Sequence, residues 1–199
     1  RRLSLMFQFD TQAKCHFLWQ HDLSTKLGPS VFQPVQWNID KIFVLSQFMK
    51  KQYQSVHGGV DELYHLTRNG IDLDLIDSVP AQERDRFRLT YTARPERGLD
   101  ILIQQVFPRI LQQEPRAKLF VSRYQDPATL ELYQALEQQM HQFGDRVTYL
   151  GNLGKKELYE NYRRSRVYIY PSEFEEIHCI TSLEASACGA VFLGPWRAA

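Results

Sequence analysis

The sequence predicts an α/β protein built on parallel sheets, and three observations carry that prediction. Short β-branched and aromatic runs recur at Lys41 to Leu45, Phe87 to Thr92, Leu119 to Ser122, Val147 to Leu150 and Val167 to Tyr170. Such continuous apolar runs suit strands buried on both faces. Stretches with helical spacing separate them, which is the strand–helix–strand unit of a parallel sheet. No internal repeat or low-complexity segment interrupts the alternation.

In chain order, Cys15 to Trp19 reads as a strand running into a polar end, Gln20-His21-Asp22. His21 at a strand end is either a ligand-facing group or an ordinary structural histidine. Residues 24–38 hold Gly28, Pro29 and Pro34 and read as loop or as a short helix after it. After the strand from Lys41, Ser46 is placed to cap a helix to about Val56, with Phe48, Met49, Tyr53 and Val56 near helical spacing. His57-Gly58-Gly59 ends it. Tyr64 to Thr67 is a short strand, and Asn69-Gly70 a turn. Residues 73–86, with Pro80 and scattered charges, read as a linker, and a domain boundary is expected near Arg84, giving domains 1–84 and 85–199.

The second half opens on the strand from Phe87. Its loop, Ala93-Arg94-Pro95-Glu96-Arg97-Gly98, leads to a helix with Leu99, Leu102, Ile103, Val106 and Ile110 on one face. That loop puts two guanidiniums where a diphosphate could lie, and a planar guanidinium donates two parallel hydrogen bonds to phosphate. The bland alternative is a pair of solvated arginines flanking a proline turn. Leu130 to Met140 and Lys155 to Arg164 are helical, the latter with Leu158 and Tyr162 inward and a solvated basic tail at Arg163, Arg164 and Arg166.

Composition narrows the function. There are 24 basic and 23 acidic residues, a net charge of +1, which argues against bulk nucleic-acid binding. Cys15, Cys179 and Cys188 form no metal spacing and no even set, so a disulfide framework is not expected and a reducing compartment is. No apolar run approaches the ~20 residues of a membrane span, and no signal peptide is visible. The chain opens on Arg1-Arg2 and closes on Trp196-Arg197-Ala198-Ala199, and both look like cut ends of something longer. P-loop, dinucleotide, zinc-protease and nucleophile-elbow fingerprints are all missing.

The chemistry concentrates in residues 167–191. The strand from Val167 stops at Pro171-Ser172, a polar loop carries Glu173, Glu175 and Glu176, and a small-residue helix from Thr181 ends at Gly189 before another strand. Glu176 and Glu184 are separated by seven residues. Carboxylates at both ends of a loop can accept from hydroxyl pairs, as sugars present them. Amides near Thr181 and Ser182 are first-turn donors, a seat for phosphate. A ligand that is part sugar and part phosphate suits both. Alternatively, Thr181 and Glu184 form a capping box and Glu184 is structural.

This stretch resembles the donor-site signature of retaining GT-B glycosyltransferases, in which Pro-Ser, a Glu, seven residues and Glu-Ala precede a small-residue helix and a Gly. Pro171, Ser172, Glu176, Glu184, Ala185, Ala187 and Gly189 match. Where many members have a glycine-rich turn, this chain has Ile177-His178-Cys179-Ile180. Arg94 matches the first basic residue of the family's earlier loop, and Arg97-Gly98 replaces Lys-Gly. Thr67-Arg-Asn-Gly-Ile-Asp72 resembles the approach to the interdomain hinge. The resemblance implies two Rossmann-like domains, the first incomplete and the second truncated. It implies a metal-independent enzyme without cofactor that moves a sugar from a nucleotide-sugar donor to a carbohydrate or lipid-linked acceptor, with retention. Arg94 and Arg97 would neutralise the diphosphate, and Glu184 would hold the ribose. Glu176 would face the donor sugar, Thr181 and Ser182 would serve the phosphates, and the amides of Cys179 and Ile180 would lie near the sugar. His21 would reach in from the first domain. The expected setting is cell-surface polysaccharide or lipopolysaccharide synthesis in the cytoplasm or at the inner face of the membrane, without nucleic acid. Alternatives are a donor-binding module or inactive fragment, or a GT-B epimerase or phosphorylase.

Overall fold

The computed structural model describes residues 13–26, 39–122 and 127–198. The expected loop or short helix at 27–38 lies outside the described residues. The chain divides into two compact units. The first holds the described residues up to Gly70, with Glu175–His178 and the described residues from Arg197 on. The second holds Ile71–Phe174 and Cys179–Trp196.

In the first unit, β1 (Phe17–Trp19), β2 (Lys41–Val44) and β3 (Tyr64–Leu66) form a parallel sheet in that order. Register sets Leu18 beside Ile42 and Ile42 beside Tyr64, so one sheet face is apolar and buried. Helix α1 (Gln47–His57) covers it with Met49, Tyr53 and His57, which recur every fourth residue. Ser46 starts this helix by accepting the Met49 N–H at 3.2 Å, as expected of an N-cap. Gly58, at φ +72°, ends it.

The second unit is a five-stranded parallel sheet in the order β6-β5-β4-β7-β8. Its strands are β4 (Asp85–Tyr91), β5 (Lys118–Ser122), β6 (Val147–Gly151), β7 (Ser165–Ile169) and β8 (Val191–Leu193). The chain starts in the centre, winds outward through β5 and β6, then returns to add β7 and β8 on the other side. Strands β4 and β7 are neighbours, with Leu89 beside Val167 and Thr90 beside Tyr168. The strand order reverses there, and the loops leaving these two strands diverge at the same sheet end.

Two expectations are corrected. Residues 73–86 are not bare linker. They contain helix α2 (Leu73–Asp77), capped by Asp72 accepting the Leu75 N–H at 2.9 Å, and its Ile76 lies in the second unit's core with Val79. Five residues are too few to show a period in sequence. The helix after the Arg loop is not uniform either: it is α over Leu99–Ile101, π over Leu102–Val106 and α again over Phe107–Gln113 (together α3, 99–113). Pro108 has no N–H for the Gln104 carbonyl, and Phe107 N–H instead reaches back five residues to Leu102. The extra residue shifts the inward face by one position. Phe107 is therefore fully buried, while Val106 is only half-buried.

The remaining helices are α4 (Leu130–Met140), α5 (Lys155–Arg164) and α6 (Ile180–Ala187). Leu158 of α5 packs on the core as expected, but Tyr159 and Tyr162 are the residues fully buried. Arg163 is not a free solvated end, because it donates to the Ile76 carbonyl at 3.0 Å. No helix of the described residues is long and apolar enough to cross a membrane.

Candidate donor site

The site of the second unit is built where β4 and β7 leave the sheet. In doubly wound sheets a ligand binds beyond the carboxyl ends of the strands at the point where strand order reverses. The loop after β4 carries Arg94 and Arg97, and the loop after β7 leads to α6 and Glu184. The two loops touch. A Cβ on Gly98, which sits at φ +93°, would lie 2.3 Å from the Pro171 carbonyl oxygen, so only glycine fits. The loop with Arg94 and Arg97 and the loop that leads to Glu184 thus leave the same end of one sheet.

Each loop is tied down by a phenol that rises from the core. Tyr91 OH donates to the Arg94 carbonyl at 2.6 Å, and Tyr133 OH donates to the Ala93 carbonyl at 3.2 Å. Tyr162 OH and Thr92 Oγ1 share a 2.5 Å hydrogen bond. On the other side, Tyr168 OH and Thr181 Oγ1 share one of 2.8 Å, and Tyr159 OH donates to Glu184 Oε1 at 2.9 Å. Buried phenols need a partner for the hydroxyl, and here five of them find it in the site loops or on α6. Burial drives the phenol pKa of Tyr91, Tyr159, Tyr162 and Tyr168 upward, so these hydroxyls keep their protons.

The guanidiniums are held but reachable. Arg94 Nε lies 2.6 Å from Glu96 Oε1 at a partly exposed pair, an interaction worth about 1 kcal/mol or less. Arg97 lies over the Phe174 ring, with Cζ 3.3 Å from the centroid. Ser172, buried, accepts the Phe174 N–H at 3.1 Å and shapes the turn that delivers this ring.

Glu184 is 3 % exposed. Its Oε1 accepts from Lys155 Nζ at 2.5 Å and from Tyr159 OH, whereas its Oε2 is buried and has no hydrogen-bond partner among the described residues. A buried acceptor left unmatched is costly and calls for a ligand or water. The capping-box alternative is not what forms. Helix α6 begins at Ile180 with Cys179 as N-cap and no side-chain cap. Thr181 therefore lies inside the first turn, its hydroxyl near Cys179 Sγ (3.3 Å) as well as Tyr168. Ser182 Oγ donates to the Cys179 carbonyl at 2.8 Å, and Ile180 is exposed. The first-turn amides of α6 have no acceptor within the helix.

Glu176 and His21 fall in the first unit. His21 is exposed with its ring 5.3 Å from that of Trp19. Of the four residues that stand in place of a glycine turn, Ile177 and His178 also belong to that unit, and Cys179 and Ile180 to the second. Ile177 packs against the first unit's core, and His178 accepts the Asn69 N–H on Nδ1 at 3.3 Å. Burial and the neighbouring Arg68 lower the His178 pKa, which suits that acceptor role. Sequence reasoning missed Lys155, Tyr159 and Phe174. The first two stand four apart at a helix start, a spacing that places them on one face, but nothing local aims that face at Glu184.

Chain-wide similarity agrees with a two-unit, parallel-sheet GT-B architecture. HepE of Anabaena, solved in complex with UDP and glucose, superposes with a TM-score of 0.72 at 16% identity over 92% of this chain and 53% of its own. Sucrose-phosphate synthase of Thermosynechococcus elongatus gives 0.70 at 22% identity over 98% and 53%. TarM of S. aureus, solved with UDP among its ligands, gives 0.70 at 12% identity over 95% and 38%. The chain thus spans about half the length or less of these structures. No curated protein matches it in sequence. The fold is of the GT-B glycosyltransferase type. Residues 86–194 match the glycosyl transferases group 1 family, and the chain belongs to that family.

Proposed function

We propose that this chain takes part in transferring a sugar from a nucleotide-sugar donor to an acceptor hydroxyl with retention of anomeric configuration. The observation that carries the reading is Glu184: a buried carboxylate with one oxygen unmatched, at the reversal point of the sheet and on the helix that follows the loop packed against the Arg94–Arg97 loop. In this reading Glu184 holds the ribose hydroxyls. Arg94 and Arg97 neutralise the diphosphate, whose charge grows as the glycosidic bond breaks. The α6 amides near Thr181 and Ser182 take phosphate oxygens, while those of Cys179 and Ile180 line the sugar. Glu176 and His21 serve the sugar and acceptor from the first unit. Support comes from the UDP and glucose held by HepE and the UDP held by TarM. The acceptor is a carbohydrate or lipid-linked hydroxyl in cell-surface polysaccharide or lipopolysaccharide synthesis, at the cytoplasmic face of the membrane. The diphosphate charge is assigned to the arginines, with no metal or cofactor in the scheme.

The test is calorimetric titration with UDP, GDP and ADP, followed by assay of donor hydrolysis and transfer. One diphosphate should bind selectively. Glu184→Ala should weaken it by the loss of a hydrogen bond to a charged group, about 1.5–3 kcal/mol, and raise donor KM. Arg97→Ala should mainly lower kcat, by roughly 10²–10³-fold. Binding without hydrolysis or transfer would favour the second reading, a donor-binding module, which the chain's span of about half its relatives makes specific. No binding of any diphosphate rejects both.

A further inference from the structure

Lys155 stands against a local rule. It is the first residue of α5, where the helix dipole disfavours a cation. The start of that helix is otherwise conventional: Glu157 accepts the Gly154 N–H at 2.7 Å, an acid in the first turn as the dipole prefers. A cation that opposes its own helix is placed for something else, and its Nζ lies 2.5 Å from Glu184 Oε1. Tyr159, one turn on, donates to the same oxygen at 2.9 Å.

The stoichiometry of the carboxylate is informative. An ionised carboxylate offers roughly four lone-pair positions, two on each oxygen. Lys155 and Tyr159 fill the two on Oε1. Both positions on Oε2 remain, buried and unmatched among the described residues. Two adjacent acceptor positions on one oxygen can accept from a pair of neighbouring hydroxyls.

We propose that Lys155 and Tyr159 are positioning residues for Glu184: they claim Oε1, fix the carboxylate plane, and leave Oε2 for both hydroxyls of a vicinal diol. The inference rests on the reading of Glu184 as the ribose-holding group. The other titratable groups around this cluster do not supply a second cation beside Oε1. Tyr162 on α5 and Cys188 after α6 are buried, and burial holds both toward their neutral forms. Asp72 bears on Tyr159, and Arg84 and Arg163 bear on Cys188. Lys155 is 57% exposed in its side chain, so its replacement leaves the core intact.

The experiment titrates the full chain at neutral pH with whichever of UDP, GDP and ADP binds most tightly, and with its 2′-deoxy analogue. Variants are Lys155→Met, Lys155→Arg, Tyr159→Phe and Glu184→Ala. Lys155→Met should bind about tenfold more weakly, a change of about 1.4 kcal/mol. It should also lose most of the preference for the ribose over the deoxyribose form. Lys155→Arg should restore most of the affinity and the preference, and Tyr159→Phe should weaken binding about threefold. Lys155→Met with wild-type affinity and ribose preference overturns the inference while leaving the donor-site reading intact. A wild-type chain that binds no diphosphate, or a Glu184→Ala chain that binds like wild type, removes the donor-site reading and this inference with it.

Discussion

The two units follow one building rule, parallel strands with crossovers, yet they distribute aromatic side chains differently. In the first unit the rings form a ladder on the sheet, with Phe17 and Phe43 5.9 Å apart, Phe43 and His65 5.2 Å apart, and Phe17 and Trp19 more than half exposed. In the second unit Tyr91, Tyr133, Tyr159, Tyr162 and Tyr168 are almost fully buried, and each hydroxyl ends on a site loop or on α6. A buried ring with a polar tip contributes apolar area to the core and anchors the loop above it. The second unit's core is thereby joined mechanically to its candidate site, whereas in the first unit the buried phenols Tyr53 and Tyr64 donate to the Asp22 and Gly58 carbonyls and the exposed ladder stands apart from them.

The largest expected effect breaks that core. Phe107 is fully buried and packs edge-on to Phe143 at 5.3 Å. Phe107→Ala should cost about 3–5 kcal/mol. Hydrogen exchange should show lost protection in β4, β5 and β7 with little change in β2. Equal loss in both units would mean they unfold as one, and the contrast would carry no energy.

A smaller effect compares two left-handed glycines. Gly98 is hemmed in by Pro171, whereas a Cβ on Gly58, at φ +72°, would meet nothing within 4 Å. Gly58→Ala should cost about 1–2 kcal/mol from backbone strain alone. Gly98→Ala should cost more than that, and it should weaken diphosphate binding because the Arg loop must move. Matching melting temperatures for the two variants, with unchanged binding, would show that the loops of the second unit are not in firm contact.

The smallest effect is in pH. Burial holds the His57 pKa below the usual histidine value of about 6.5. The native state therefore favours neutral His57; its contribution is present above the unfolded pKa and lost as pH falls through the folded one. The buried phenols behave in the reverse sense, being raised by burial. Their contribution is present below about pH 10 and lost at higher pH. The first unit, which holds His57, should lose stability first in mild acid. The second, with more buried tyrosines, should lose more in alkali. Melting curves across pH for the chain and for His57→Gln check this, and an unchanged acid slope in the variant removes the histidine from the account.

Much of this was legible locally. Ser46 and Gly58 bound α1 because a hydroxyl cap and a left-handed glycine act within one turn. The strands starting near Lys41, Phe87 and Val167 announced themselves by β-branched and aromatic runs. Helix α2 was not legible, since five residues show no period, and the inward shift from Val106 to Phe107 was hidden because a π turn has no compositional mark. In the site, the motif around Glu184 was readable as a string, while the choice between capping box and ligand group was not. Whether the capping box forms depended on where α6 starts, and a two-residue difference in the N-cap, from Thr181 to Cys179, moved Thr181 into the first turn.

The sequence by itself determined most element types, several caps, and which residues are proposed for the donor site. Those depend on neighbours within a few positions, where side-chain period and backbone preference act directly. Tertiary structure alone decided that β4 and β7 are adjacent, that Lys155 meets Glu184 across 29 residues, that Ile177 enters the first unit's core, and that core phenols end on site loops. These are long-range pairings, selected by the burial and hydrogen-bond satisfaction of the whole unit, and no short window of residues encodes them.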